Sequence, residues 1–346
     1  PLAGDHLGMK VDISGDVGIA TAAHFDSGSG KAYLFDVTTG EQRHRLVPPT
    51  SIPDSYYGHG CAIDGNLAVV GHPGEDKAYL YDVSTGDEIG VLENPDWRGT
   101  GQNIYFGECL AVSGDTVVAG AFGTKEFYVF DVSDVVAGTG PAVWLGDPDP
   151  IHRNDFAFAY DSVAISGTTM VAGAYGTQPN WKGGAWVYDL SPLVAGTGPA
   201  VERELDPDYT PADNEQLFFG LSVDIEGDTA IVGAPGTGDR DGSFGNAGMV
   251  YLYDVSDAST PAKLSSFVAD DIAADHGFGQ WVGISGETAI VGGAPNPVLA
   301  VPGEAYLFDV SDPETPVQFQ KITSDFPVSN DGFGRPVAID GNVALI

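Results

Sequence analysis

A short signal, apolar then Ser, Asp or Glu, then Gly, then a polar residue, recurs along this chain. Its glycine falls at Gly15, Gly65, Gly114, Gly167, Gly227, Gly286 and Gly341, at spacings of 50, 49, 53, 60, 59 and 55 residues. A second glycine stands seven residues ahead of it, at Gly8, Gly58, Gly107, Gly220, Gly279 and Gly334; the fourth copy has Tyr160 there. A period of this size, filled with short alternating apolar segments, leaves few folds open. Each copy is a small sheet that cannot bury both faces alone, so the copies must stack on one another.

Each copy reads as four strands. In the fifth, Leu221–Ile225 alternates, with Val223 and Ile225 on one face. Glu226-Gly227 is a two-residue hairpin, whose glycine supplies the positive φ such a turn requires. Thr229–Val232 is the second strand, Met249–Tyr253 the third, closed by Asp254, and Ala262–Phe267 the fourth. The repeats fall at about 5–53, 54–103, 104–155, 156–216, 217–277 and 278–332, with a partial copy at 333–346. Four and two residues before the hairpin glycine the chain is apolar throughout, from Val11/Ile13 to Val337/Ile339. The residue between reads Asp12, Ala62, Ala111, Ala164, Asp224, Gly283 and Ala338. Large on one face and mostly small on the other suits sheets that approach closely near an axis. The expectation is an all-β chain: one domain, a seven-bladed β-propeller of four-stranded antiparallel blades, the seventh incomplete. A half-built blade exposes strand edges and apolar faces. The chain is therefore expected to continue past Ile346 with a strand like Ala305–Asp309, or another chain is expected to add one.

Composition narrows the partners. Fourteen Lys and Arg stand against 49 Asp and Glu, a net charge of −35. Such a surface repels phosphate backbones and anionic lipid, which excludes nucleic acid and anionic membranes. It suits a salty or calcium-rich exterior. No run of 18 apolar residues is present, so no helical membrane insertion is expected. No signal-peptide pattern is visible, and the first residue is Pro1, which predicts a processed product or a piece of a larger protein or assembly. Cys61 and Cys109 sit on faces of neighbouring sheets that meet, which leaves open both a disulfide and two buried thiols.

An aromatic–glycine pair opens the unit at Tyr57-Gly58, Phe106-Gly107, Phe219-Gly220, Phe278-Gly279 and Phe333-Gly334, and Gly-Ala-Pro closes a second strand at 233–235 and 293–295. These motifs, in this order and period, resemble the FG-GAP repeat of integrin α-subunit propellers and of many bacterial surface proteins. The resemblance covers essentially the whole chain. It implies a seven-bladed propeller, an extracellular or cell-surface location, and ligand recognition at one end of the barrel. Integrin repeats often carry a calcium loop between the first two strands. Here that connection is a two-residue hairpin, too short for the six to eight oxygens calcium takes.

What repeats within the chain is scaffold. Asp36, Asp82, Asp131, Asp189, Asp254 and Asp309 occupy one position, which argues for a local turn over catalysis. What varies is candidate function. The connections between strands one and two, and three and four, are short and repetitive; those between two and three, and between blades, are long and dissimilar. Variable loops on a rigid frame carry binding. At that long-loop end Trp97, Phe122, Tyr175 and Trp181 are candidate ligand-binding aromatics. Asp239 and Asp241, in Gly-Asp-Arg-Asp-Gly, are the candidate calcium ligands, calcium being the one cofactor with a signal. Six before each hairpin glycine stand Met9, His59, Glu108, Asp161, Leu221, Gln280 and Arg335, placed to ring the channel mouth. No metalloprotease, nucleophile-elbow or P-loop motif is present. The function expected is non-enzymatic recognition, adhesion or surface assembly, with an extracellular protein or glycan as partner. The alternatives are a lectin using the loop aromatics, and a polysaccharide lyase or esterase built on His59, Glu108 and Asp161.

Overall fold

The computed structural model describes residues 7–24, 29–50, 52–95, 104–146, 162–176, 182–208, 216–237, 247–272, 276–293, 302–325 and 332–346. Six four-stranded antiparallel sheets succeed one another, each an up-and-down meander. Blade one is β1 (Val11–Ser14), β2 (Val17–Thr21), β3 (Ala32–Asp36) and β4 (Gln42–Leu46). Blade two is β5 (Cys61–Asp64), β6 (Leu67–His72), β7 (Lys77–Asp82) and β8 (Glu88–Glu93). Blade three is β9 (Phe106–Ser113), β10 (Thr116–Ala121), β11 (Glu126–Asp131) and β12 (Val143–Gly146). Blade four is β13 (Ser162–Ser166), β14 (Thr169–Gly173), β15 (Ala185–Asp189) and β16 (Val201–Glu204). Blade five is β17 (Val223–Glu226), β18 (Thr229–Ala234), β19 (Met249–Asp254) and β20 (Ala262–Phe267). Blade six is β21 (Phe278–Ser285), β22 (Thr288–Gly293), β23 (Glu304–Asp309) and β24 (Val317–Thr323). A small seventh sheet pairs β25 (Ala338–Asp340) with β26 (Val343–Leu345). Among the described residues these make six four-stranded blades and one two-stranded sheet, against the seven blades expected.

Two compact units hold these blades. One comprises the first three blades with Leu190–Ala200; the other holds Asn154–Asp189 and Val201–Ala344. Within each, the repeat motifs are explained by what lies at the seams. The glycine that ends a second strand abuts the carbonyl of the aromatic–glycine pair in the next blade. A Cβ on Gly71 would overlap the Gly107 oxygen, and one on Gly173, Gly233 or Gly292 the oxygen of Gly220, Gly279 or Gly334. Gly30, Gly183 and Gly248 make isolated parallel bridges to Tyr57, Phe219 and Phe278. The opening aromatic itself is a wedge. Phe106 meets Tyr128 and Phe130 edge-on at 5.6 and 6.0 Å, Phe219 meets Tyr251 and Tyr253, and Phe278 meets Tyr306 and Phe308. Edge-to-face packing at these separations is the favoured geometry of aromatic quadrupoles. Removing such a buried ring costs about 3–5 kcal/mol.

A second tie runs along the hairpin end. The hairpin glycine N–H of one blade donates to the residue before the hairpin glycine of the preceding blade: Gly65 to Ser14 Oγ (3.0 Å), Gly114 to Asp64 Oδ2 (2.7 Å), Gly227 to Ser166 Oγ (3.1 Å) and Gly341 to Ser285 Oγ (3.0 Å). Asp12 and Asp224, the two carboxylates in an otherwise small-residue column, reach further. Asp12 Oδ2 accepts the Ile63 N–H and Asp224 Oδ2 the Ile284 N–H, both at 2.8 Å.

The Asp that closes each third strand stands opposite the residue two past the hairpin glycine, as in Leu67↔Asp82, Thr229↔Asp254 and Thr288↔Asp309. It is a turn residue. Asp82 Oδ1 accepts the Ser84 N–H and hydroxyl at 2.8 and 2.5 Å. Asp131, Asp254 and Asp309 accept the N–H two residues on in the same way. The Ser84 hydroxyl, above all, holds the Asp82 carboxyl below its ordinary range. Asp16 in the first hairpin is paired to Arg43 at 2.6 Å.

Three details refine the sequence reading. The first strand of blade five starts at Val223, not Leu221, because the Gly220 and Leu221 N–H groups are spent on Gly233 O and Phe218 O. The duplicated Val-Ala-Gly-Thr-Gly-Pro-Ala segments each follow one helical turn, α1 (Ser133–Val136) and α2 (Ser191–Val194). Val135 then lies over Gly90 of the preceding blade, and Leu193 over Gly146. Cys61 and Cys109 are free thiols.

Candidate functional site

At the long-loop end, aromatic rings meet in pairs. His24 stands edge-on to Tyr56 at 5.5 Å and Tyr105 to Phe122 at 6.2 Å, both in the first unit. In the second unit Tyr175 lies against Phe218 at 6.2 Å. Phe122 is 37% exposed, and Tyr175, Tyr56, Tyr105 and Phe218 are half-buried. Tyr56, Tyr105 and Phe218 all precede the opening aromatic of their blade, and all are left-handed, at φ 55°, 57° and 51°. The same position is Gly277 and Gly332 in the last two copies, also at positive φ. Glycine takes this conformation freely; an aromatic residue pays about 1–2 kcal/mol for it. The frame therefore demands a left-handed residue there, and three copies present a bulky ring at an energetic cost. Sequence reasoning missed these three residues. The signal was the Tyr-Tyr-Gly, Tyr-Phe-Gly and Phe-Phe-Gly openings set against Gly-Phe-Gly at 277 and 332.

Two of the four expected aromatics, Phe122 and Tyr175, are thus at this end and in ring contact. Trp97 and Trp181 lie outside the described residues, as do Asp161, Asp239, Asp241 and most of the long loops. Among the described residues no three His, Cys, Asp or Glu side chains converge to hold a metal.

The expected channel-mouth residues fall in both units. His59 Nδ1 lies 3.9 Å from Glu108 Oε1. Burial, reinforced by Lys10, lowers the His59 pKa to about 4, so the imidazole is neutral near pH 7. In the second unit Arg335 lies over the Trp281 ring at 5.8 Å, and burial lowers its pKa. Gln280 is half-buried, its N–H bound to Gly277 O. Two further titratable clusters were not expected. His72, fully buried where other copies have Ala22, Ala121, Ala174 or Ala234, sits 3.3 Å from Glu75. Lys321 bridges Asp271 and Glu304 at 2.6 and 2.7 Å over the Tyr306 ring, whose hydroxyl donates to Glu304 at 2.5 Å. That network is satisfied internally, and the Tyr306 side chain is fully buried, so it reads as structure.

Comparison with known proteins bears on the family. The FG-GAP repeat model matches residues 210–253, the segment from the long loop through the Phe219-Gly220 opening to Tyr253. That segment is an FG-GAP repeat, and it lies in a β-propeller. No curated protein matches the propeller in sequence. Solved structures share its fold. The Myceliophteria thermophila Cps50 (Swd1) β-propeller domain is 11% identical, with a TM-score of 0.59 over 94% of this chain and 88% of that one. A chain of the Mitotic Checkpoint Complex is 12% identical, with a TM-score of 0.59 over 98% and 83%. A chain of Kuenenia stuttgartiensis hydrazine synthase is 14% identical, with a TM-score of 0.51 over 89% and 80%. Identities this low speak to the propeller frame alone.

Proposed function

We propose that this propeller is a non-enzymatic recognition module of an extracellular or cell-surface protein, acting in adhesion or surface assembly through its long-loop face. The observation that carries the reading is the set of aromatic residues held at positive φ, Tyr56, Tyr105 and Phe218, each in contact with a second ring. Strained rings at loop ends are a binding-site signature, since rigid aromatics contribute contact area at low entropic cost. The net charge of −35 suits an exterior setting and a partner that is neutral or basic. Of the neighbours in fold, one is a chain of a checkpoint complex and one the Swd1 propeller domain, whereas hydrazine synthase is by its name an enzyme.

A second reading, a lectin, draws on the same half-exposed rings, which present faces suited to stacking on sugars. One array carrying both glycans and extracellular matrix proteins tests the proposal. Binding should fall at least tenfold when Tyr105→Ala is combined with Phe122→Ala, or Tyr175→Ala with Phe218→Ala, the fold being retained by circular dichroism (about 1.4 kcal/mol per tenfold). A glycan hit selects the lectin. Turnover of a polysaccharide that is abolished by His59→Gln, or no binding anywhere on the array, refutes the recognition reading.

A further inference from the structure

The seam between blades two and three, inside the first unit, differs from its counterparts in one bond. In blades five and six the N–H of the opening aromatic donates to a backbone carbonyl of the preceding blade, Phe219 to Lys182 O at 3.1 Å and Phe278 to Ala247 O at 3.0 Å. In blade three a side chain takes that place: the Phe106 N–H donates to Asp76 Oδ1 at 3.2 Å. The Ile104 and Tyr105 N–H groups face the same carboxyl group. Burial raises the Asp76 pKa, and these donors pull it back down. Asp76 closes a short connection, 73–76, between the paired strand ends His72 and Lys77. Blade three has a connection of equal length, 122–125, between Ala121 and Glu126. Asp76 and Lys125 hold the same place there, both left-handed at φ 54° and 60°. Lysine has no acceptor to offer, so the carboxyl group is particular to blade two.

The other end of this connection reaches the other strained tyrosine of the first unit. The Gly74 N–H donates to Ser55 O at 2.9 Å, and a Cβ on Gly74 would lie 2.5 Å from Ser55 Cα. Ser55 is buried and directly precedes Tyr56. That bond is part of the frame, since the Gly123 N–H donates to Ile104 O ahead of Tyr105, and the Gly236 N–H to Leu217 O ahead of Phe218. The connection is also pinned from within blade two. Its Asp76 N–H donates to Pro73 O, and the Tyr79 hydroxyl donates to Glu75 Oε2 at 3.0 Å. The buried His72 ring at its foot stands edge-on to Tyr57 at 5.5 Å.

We propose that Asp76 is a positioning residue of the recognition face. From blade two its carboxyl group holds the left-handed backbone of Tyr105 in blade three, while Gly74 at the far end of the same connection holds the approach to Tyr56. One rigid segment thereby sets the His24–Tyr56 and Tyr105–Phe122 ring pairs as a single platform. A strained backbone persists only where its surroundings over-determine it, and Tyr105 is held from both sides, by Asp76 of the preceding blade and by Gly123 of its own. Rings fixed before binding spare the partner an ordering cost. The proposal rests on the recognition reading for its purpose, while its geometry stands without a partner.

The test uses the whole chain labelled with fluorotyrosine and read by fluorine NMR, with Tyr56→Phe and Tyr105→Phe assigning the two resonances, alongside amide hydrogen exchange. Asp76→Gly keeps the left-handed backbone and removes the carboxyl group. It should shift the Tyr105 resonance and quicken exchange of the Phe106 amide about tenfold or more, the worth of one hydrogen bond to a charged acceptor. Exchange in β10 should stay as it was. Asp76→Asn keeps an acceptor oxygen and tolerates the left-handed region, so it should restore the Tyr105 resonance and hold the quickening under about threefold. Gly74→Ala, which forces the connection off Ser55, should move the Tyr56 and Tyr105 resonances together. The proposal is overturned if Asp76→Gly leaves Tyr105 and Phe106 as in the parent, or if β10 quickens as much as Phe106. It is overturned as well if Asp76→Asn behaves like Asp76→Gly, or if Gly74→Ala moves Tyr56 alone. These readouts are independent of the array: an empty array refutes the recognition reading, and an unmoved Tyr105 refutes the positioning role.

Discussion

Replacing Gly233 by alanine tests whether the propeller's seams are set by backbone contact. Gly233 has an ordinary φ, so alanine fits its conformation. By removing freedom from the unfolded chain, the change would by itself stabilise the protein by about 0.4–1 kcal/mol. The new methyl, however, would overlap the Gly279 carbonyl oxygen, with Ser222 Oγ at 2.6 Å and the Gly279 carbon at 3.0 Å. Two of these three obstacles are backbone of the next blade and cannot rotate away. Overpacking of this kind costs about 1–3 kcal/mol, and a rigid neighbour places it in the upper part of that range. Gly227→Ala is the matched control. Its Cβ meets nothing within 4 Å, but its φ is +55°, so it should cost only the left-handed penalty of about 1 kcal/mol. Thermal unfolding should therefore drop by roughly 3–4 °C for the first variant and about 1–2 °C for the second. Exchange in β21 should quicken only for Gly233→Ala. A Gly233→Ala protein as stable as its parent, or more so, would show slack at the seam and refute the account of why the repeat keeps this glycine. Thr21, which stands at this place in blade one, marks the boundary case: Gly58 there has its Cβ position 3.1 Å from the Thr21 Cβ, against no backbone atom nearer than 3.0 Å.

Asp224→Ala should cost about 1–3 kcal/mol, because the Ile225 and Ile284 N–H groups lose their shared acceptor; urea unfolding measures it, and a loss below about 0.5 kcal/mol would contradict the tie between blades five and six. Acidification should reveal His59. Its folded pKa of about 4 lies below the ordinary 6.5, so between those values the unfolded chain binds a proton the folded chain refuses, and stability falls as pH drops through that window. From pH 7 to pH 5 the parent should lose about 2 kcal/mol more than His59→Gln; parallel pH profiles would refute it. Calcium, if bound, should be lost with Asp239→Asn plus Asp241→Asn and kept with Asp16→Asn in a calorimetric titration, since Asp16 is already paired to Arg43; the reverse pattern would place metal at the hairpins.

The frame was legible because each of its positions occurs six or seven times. A residue such as Asp131 or Gly233 is read against its counterparts, and spacing alone yields strands, hairpins and the Asp turns. Periodicity says which side chains face inward. It does not say which backbones touch, so the reason for Gly71 and Gly233 appears only in the structure. Asp12 and Asp224 broke the small-residue column without explanation, because their acceptors serve N–H groups more than fifty residues away. The site was less legible, since a binding loop is informative by being unlike its counterparts. Phe122 and Tyr175 stood out as aromatics where proline is expected. Tyr56, Tyr105 and Phe218 hid beside the motif, their left-handed backbone betrayed only by the glycines at 277 and 332.

Where a bound partner sits is the most direct test of the recognition account. Hydrogen exchange of the chain with and without its strongest binder from the array should show protection at 104–105, 122–124, 174–176 and 216–218, with the hairpins at Gly65, Gly114, Gly227 and Gly286 unchanged. Protection confined to those hairpins would contradict it, by placing recognition at the opposite end of the blades.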